Sequence, residues 1–188
     1  YQWASQYPEM VKAIVPFCGS ARCAPHNYMF LAGVKAALQA DPAWNNGRYT
    51  TQPERGLRAF GRVYAGWVYS QTWFREGYYK QLGFETLEDM LEDWERDHLE
   101  WDANDLLAKI WTWQHCDISE NDRYNGDFPK ALASIRARAI LIPCTTDLYF
   151  PPEDNEIEAR YMPRAEFRPF ASVWGHAVPS GNRVPEFH

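Results

Sequence analysis

The hydrophobic and polar positions of this chain change their period twice. The opening YQWASQYP, with apolar Trp3 and Ala4 and a stop at Pro8, has the pattern of a helix's last turns. AIVPFCGSA follows, a β-branched apolar run closed by Gly-Ser, and predicts a buried strand. Between His26 and His115 the period is helical. NYMFLAGVKAAL sets Phe30, Leu31, Val34, Ala37 and Leu38 on one stripe, and RGLRAFGRVYAGWVYSQTWF continues the same spacing. TLEDMLEDWERDHLEWDANDLLAKIWTWQH supplies further helix, with Thr86 and Asp102 as N-caps. DPAWNNGRYTTQPERG is the long loop. From Asp127 helix and strand alternate: DFPKALASIRA, then the apolar RAILIPC, then PPEDNEIEARYM with proline in its first turn, then AEFRPFA.

These periods divide the chain into a helix end plus strand at 1–25, a helical insertion at 26–126 and an α/β segment at 127–188. Strands separated by helices predict an α/β fold with a parallel sheet, whose functional residues gather beyond the carboxyl ends of the strands. The chain is expected to start inside a helix and to finish, at NRVPEFH, without a closing helix, so that both edges lie within a larger domain.

Composition narrows the function classes. A 188-residue chain that is 46% hydrophobic and 23% charged can form a globular core. A net charge of −6 leaves no basic footprint for nucleic acid, and no stretch reaches the roughly 18 apolar residues of a membrane span. The first residues lack the basic start and apolar core of a signal peptide, and a cytoplasmic location is expected. Cys18, Cys23, Cys116 and Cys144 show no Cys-x-x-Cys pair and no metal-ligand rhythm, and read as buried thiols. Aromatics make up 16% of the chain. Tyr64, Trp67, Tyr69, Trp73, Trp111 and Trp113 are expected to line a largely apolar pocket in the helical insertion.

The candidate chemistry lies near the end of the chain. Asp147 follows one apolar strand, in ILIPCTTDLYFPPED, and His176 follows the next, in SVWGHAVPSG. Loops from adjacent parallel strands can bring a carboxylate and an imidazole together, so that the carboxylate fixes the tautomer and the imidazole takes a proton from a hydroxyl nucleophile. The plainer alternatives are Asp147 as a helix cap and His176 as a loop histidine held by backbone. Trp174 and Gly175 beside His176 favour a shaped turn at a pocket. His26 and His115 read as structural, His98 as a solvated member of a charged run, and the carboxylates of EDMLEDWERDHLEWD as a solvated helix face. Ser20, in CGSAR, lacks the Gly-x-Ser-x-Gly elbow of a serine nucleophile.

Taken together, YQWASQYPEMVKAIVPFCGSAR, SARCAPHNYMFLAGVKAAL, the WDAN at Trp101–Asn104, ALASIRARAILIPCTTDLYFPPED and WGHAVPSG resemble the homoserine O-acetyltransferase-like branch of the α/β-hydrolases over nearly the whole chain. The resemblance implies an incomplete α/β-hydrolase fold with a large helical lid. It gives Asp147 and His176 the roles of acid and base in a Ser-His-Asp triad, and places the serine and oxyanion hole upstream of Tyr1. The implied activity is serine-dependent acyl transfer on a small-molecule acyl substrate, with the missing N-terminal part of the same fold as partner and homodimerisation left open. No metal or bound cofactor is implied; acetyl-CoA enters as co-substrate if an O-acetyltransferase acts on a homoserine-like acceptor. DLLAKIWTWQHCDIS departs from the Ser-Tyr-rich continuation expected of the homoserine enzymes. A ligand-binding protein without turnover is the reading from another class. The 188 residues by themselves are expected to be inactive.

Overall fold

In a computed structural model, residues 1–180 are described, the side chain of Ser180 excepted, and the tail NRVPEFH lies outside them. They form two compact units. One comprises Tyr1–Cys23 and the stretch from Cys116 onward; the other is Ala24–His115.

The first unit is built on a parallel sheet of order β1-β2-β3, with β1 at Ala13–Ile14, β2 at Arg138–Leu141 and β3 at Ala165–Phe167. Ala13 and Ile14 pair with Arg138 and Ala139, and residues 139–141 pair with residues 165–167. Isolated bridges carry both ladders further, Phe17 to Ile142 and Cys144 to Phe170. Helix α1 (Gln2–Gln6) precedes β1, α7 (Phe128–Ala133) leads into β2, and α8 (Pro152–Tyr161) crosses from β2 to β3. The core joins Ala139 and Leu141 of β2 to Leu132, Ile135, Phe128 and Met162, all buried. Residues 116–126, grouped by pattern with the helical insertion, contribute Ile118 and Tyr124 to this same core.

The strand expected across Ala13–Ala21 is shorter and wetter than its apolarity suggests. Only two residues are regular, Ala13 is exposed and Val15 is 59% exposed. Among the described strands β1 is an edge, and Pro16 has no N–H to give a ladder.

The second unit is helical: α2 (Pro25–Gln39), α3 (Glu54–Val68), α4 (Gln71–Arg75), α5 (Leu87–His98) and α6 (Ala103–Gln114). The capping expectations hold. Thr86 and Asp89 form a reciprocal capping box, and Asp102 accepts from the N–H groups of Asn104 and Asp105. The period running from α3 into α4 breaks at Tyr69, because the Ser70 side chain accepts from Trp73 N and starts a new helix. Two glycines set the spacing of α3. A Cβ at Gly56 would lie 2.4 Å from Leu38 O, and one at Gly61 would lie 2.7 Å from Trp94 O. Asp41 closes the same corner, accepting from Ala43 N and from Gly56 N at 2.9 Å each.

One expectation fails in this unit and two hold in part. His98, expected to be solvated, is buried, its Nδ1 bonded to Trp94 O at 2.8 Å and its ring stacked on Trp94. Position 98 falls on the inner face of α5 although its sequence neighbours are charged. The carboxylate run is solvated in part only, since Glu95 pairs with Arg58 and Arg62. Of the six aromatics expected to line a pocket, Tyr64 and Trp113 line a cavity of about 190 Å³ with Leu31, Phe60, Leu106 and Ile110. Tyr69 and Trp73 instead stack on each other in the interior, at 3.9 Å between centroids. Trp111 is 58% exposed and lies against His115. No helix among the described residues is long and apolar enough to cross a membrane.

Candidate active site

Asp147 is presented by the turn that ends the β2 ladder. Thr145 N donates to Phe170 O at 2.9 Å, the last rung between the two strand extensions, and Asp147 N then turns back to Cys144 O at 3.1 Å. Asp147 Oδ1 accepts from Tyr149 N at 2.8 Å and Phe150 N at 3.2 Å. These bonds make it the acid of an Asx-type turn, and they also aim its second oxygen. The side chain is fully buried.

His176 comes from the matching loop after β3. Thr146 ties the two loops together: its hydroxyl donates to Ser172 O at 2.7 Å and accepts from Gly175 N at 3.2 Å. Gly175 has φ 59°, a backbone region that favours glycine, and it opens the turn that carries the histidine. Trp174, 1% exposed, anchors the same turn. His176 Nδ1 thereby lies 2.9 Å from Asp147 Oδ2. A carboxylate oxygen only accepts, so Nδ1 carries the proton and Nε2 is left as the basic nitrogen. Tyr149 meets the imidazole edge-on at 4.8 Å and Phe150 lies at 5.4 Å. The histidine side chain is 31% exposed, and so a reacting group can reach it. The two residues singled out from sequence are thus hydrogen-bonded to each other, and Asp147 is not the cap of α8, whose N-cap is Pro151 with no side-chain bond.

Cys18, expected from sequence only as a buried thiol, lies beside this pair. It ends the β1 ladder, with its N–H on Ile142 O at 3.1 Å, and is buried with φ 48°, unusual for a residue with a Cβ. Its thiol, the Asp147 carboxylate and the His176 imidazole offer atoms within 4.8 Å of one another. Burial, with the Asp147 charge second, pushes this thiol up to about 12. It therefore stays protonated and serves as a donor beside the carboxylate. A thiol, an imidazole and a carboxylate would suit zinc by type. The direct bond from His176 Nδ1 to Asp147 Oδ2 already satisfies both of those groups without a metal. Ser20 donates to Arg22 O at 2.6 Å and takes no part in this cluster. Helix α8 braces the loop that holds Cys18: Asn155 Nδ2 donates to Gly19 O at 2.8 Å, and Glu158 accepts from Ala21 N at 2.7 Å. Burial raises the Glu158 carboxyl above its ordinary range.

A parallel sheet with a carboxylate and an imidazole on the loops after successive strands, interrupted by a helical unit, is the architecture of the α/β-hydrolases. An acetylester hydrolase from Corynebacterium glutamicum superposes with a TM-score of 0.89 at 29% identity, over 94% of this chain and 51% of that one. The chain has the α/β-hydrolase fold, and its homologues are esterases and homoserine O-acetyltransferases. An ethyl acetate hydrolase from Pseudomonas veronii is 33% identical over 94% of the chain and 51% of its own length. A homoserine O-acetyltransferase from Chloroherpeton thalassium is 27% identical over 93% of the chain and 47% of its own length. The chain thus spans about half the length of the curated relatives it matches. No protein-family model matches it.

Proposed function

We propose that Asp147 and His176 are the acid and base of an ester hydrolase that cleaves small acetate esters through a serine nucleophile. The serine is carried on a segment outside these 188 residues. The observation that carries this reading is the 2.9 Å bond from His176 Nδ1 to the buried Asp147. It leaves Nε2 to take the serine proton as the hydroxyl attacks the ester carbonyl, and Asp147 stabilises the imidazolium that forms. The protonated imidazole then gives its proton to the departing alcohol. Water, deprotonated by the same nitrogen, releases acetate from the acyl-enzyme. The names of the esterase relatives support acetate esters as the substrate class.

A second reading, favoured by the similarity to homoserine O-acetyltransferases, is transfer from acetyl-CoA to a homoserine-like hydroxyl by the same acyl-enzyme. The test is made on the polypeptide that joins the serine-bearing segment to this chain. Acetate release from ethyl acetate at a rate indifferent to added homoserine is the expected result. CoA release from acetyl-CoA that requires homoserine would replace the first reading by the second.

A further inference from the structure

The chain leaves the sheet-bearing unit after Cys23 and re-enters it at Cys116. These two crossings are themselves paired. Arg22 and Asp117 form an antiparallel bridge, flanked by Cys23 N to Cys116 O at 2.7 Å and Ile118 N to Ala21 O at 3.1 Å. In this register Cys23 and Cys116 stand directly opposite each other, with side chains on the same face of the ribbon. Directly opposed, hydrogen-bonded positions have Cα atoms about 5.5 Å apart. That lies within the span of roughly 4.4–6.8 Å that a disulfide bridges. All four cysteines carry thiols. Cys116 is exposed and Cys23 half-buried, whereas Cys18 and Cys144 are buried. The reagent-accessible pair is therefore the opposed pair.

We propose that Cys23 and Cys116 are a reversible dithiol–disulfide site that fastens together the two ends of the helical unit. The oxidant is a low-molecular-weight disulfide of the glutathione type. The Cys116 thiolate attacks one sulfur of that disulfide, forming a mixed disulfide and releasing one thiol. The Cys23 thiolate then attacks the Cys116 sulfur and releases the second. Two protein thiols lose two protons and two electrons, and the reagent disulfide becomes two thiols. Burial raises both thiols above their ordinary value, with the neighbouring Cys116 charge adding at Cys23 and that of Asp117 at Cys116. Exchange therefore quickens as pH rises and the thiolates appear. The closed bond spans the whole of Ala24–His115, and cross-links over long loops restrict the unfolded chain most.

The folded protein is incubated with glutathione disulfide in mildly alkaline buffer, its thiols are titrated, and it is mapped by non-reducing peptide mass spectrometry. The expected result is a fall from four thiols to two, a Cys23–Cys116 peptide that dithiothreitol cleaves, and a raised thermal midpoint. Cys23→Ser and Cys116→Ser should each block closure with the circular dichroism spectrum unchanged. Four persisting thiols, a reaction that stops at the glutathione adduct of Cys116, or cross-links to Cys18, to Cys144 or between chains would overturn the proposal.

Discussion

At the scale of single residues, the proposed chemistry rests on how Asp147 divides its two oxygens. One is held by the N–H groups of Tyr149 and Phe150, and the other holds His176. Asp147→Asn keeps the shape but puts an amide donor or a poorer acceptor against Nδ1, which favours the wrong imidazole tautomer. In the serine-bearing polypeptide it should lower kcat by about 10⁴, with KM for the ester little changed. Cys18 has a smaller part, as a protonated donor beside the carboxylate. Cys18→Ala should lower kcat and shift the acid limb of its pH profile, whereas Cys18→Ser, which restores a donor, should recover the wild-type profile. Equal profiles for all three proteins would remove Cys18 from the site. Asp147 and His176 could be found from sequence because each follows an apolar strand at its carboxyl end. Cys18 could not, because its importance comes from a register across two ladders and a positive φ that a run of apolar letters does not encode.

At the scale of elements, the helix starts at Thr86 and Asp102 were legible because their causes are local. Thr86 and Asp102 are caps whose side chains bond residues two or three positions ahead, whereas the Ser70 cap was hidden inside an unbroken helical period. The turn from strand to helix at Pro151–Pro152 is likewise set by neighbouring residues. Illegible were the partners across elements. His98 looked solvated because its sequence neighbours are charged, yet α5 turns it toward α3, where Gly61 leaves room. Gly61→Ala should force α3 and α5 apart and cost about 1–3 kcal/mol of stability, read as a lowered urea midpoint. Gly33, exposed in α2 with nothing within 4 Å of its missing Cβ, is the control. Gly33→Ala should raise stability by roughly 0.5–1 kcal/mol through lower unfolded-state entropy. A gain from both substitutions would contradict the close approach of the two helices.

At the scale of the whole molecule, acid should weaken the helical unit more than the sheet unit, whose lowered Glu166 lies in a partly exposed ion pair with Arg168. In the helical unit Asp41 is lowered: burial opposes this, but the N–H groups of Gly56 and Ala43 and the Arg55 charge outweigh it. Asp102 is lowered by the Tyr49 hydroxyl and then by Asp105 N–H. Carboxyls that are lower when folded contribute stability above their unfolded pKa and lose it as pH falls through the folded value. Glu158 in the sheet unit is raised, chiefly by burial, so its contribution is full below its unfolded pKa and fades as pH rises through the folded value. Amide exchange at pH 7 and at about pH 4 should therefore show protection falling more in Ala24–His115 than in β2 and β3. A uniform loss would count against this division.

The fold class itself was legible from the alternation of helical and strand periods together with the positions of Asp147 and His176. The extent of β1 was not, because the sheet decides which apolar residues of Ala13–Ala21 are covered. The proposed chemistry makes His176 the base of an acyl-transfer centre. Its most direct test is fluorophosphonate labelling of the serine-bearing polypeptide, wild type against His176→Ala. Near-complete loss of labelling with folding intact is predicted, and labelling at the wild-type rate would contradict the account.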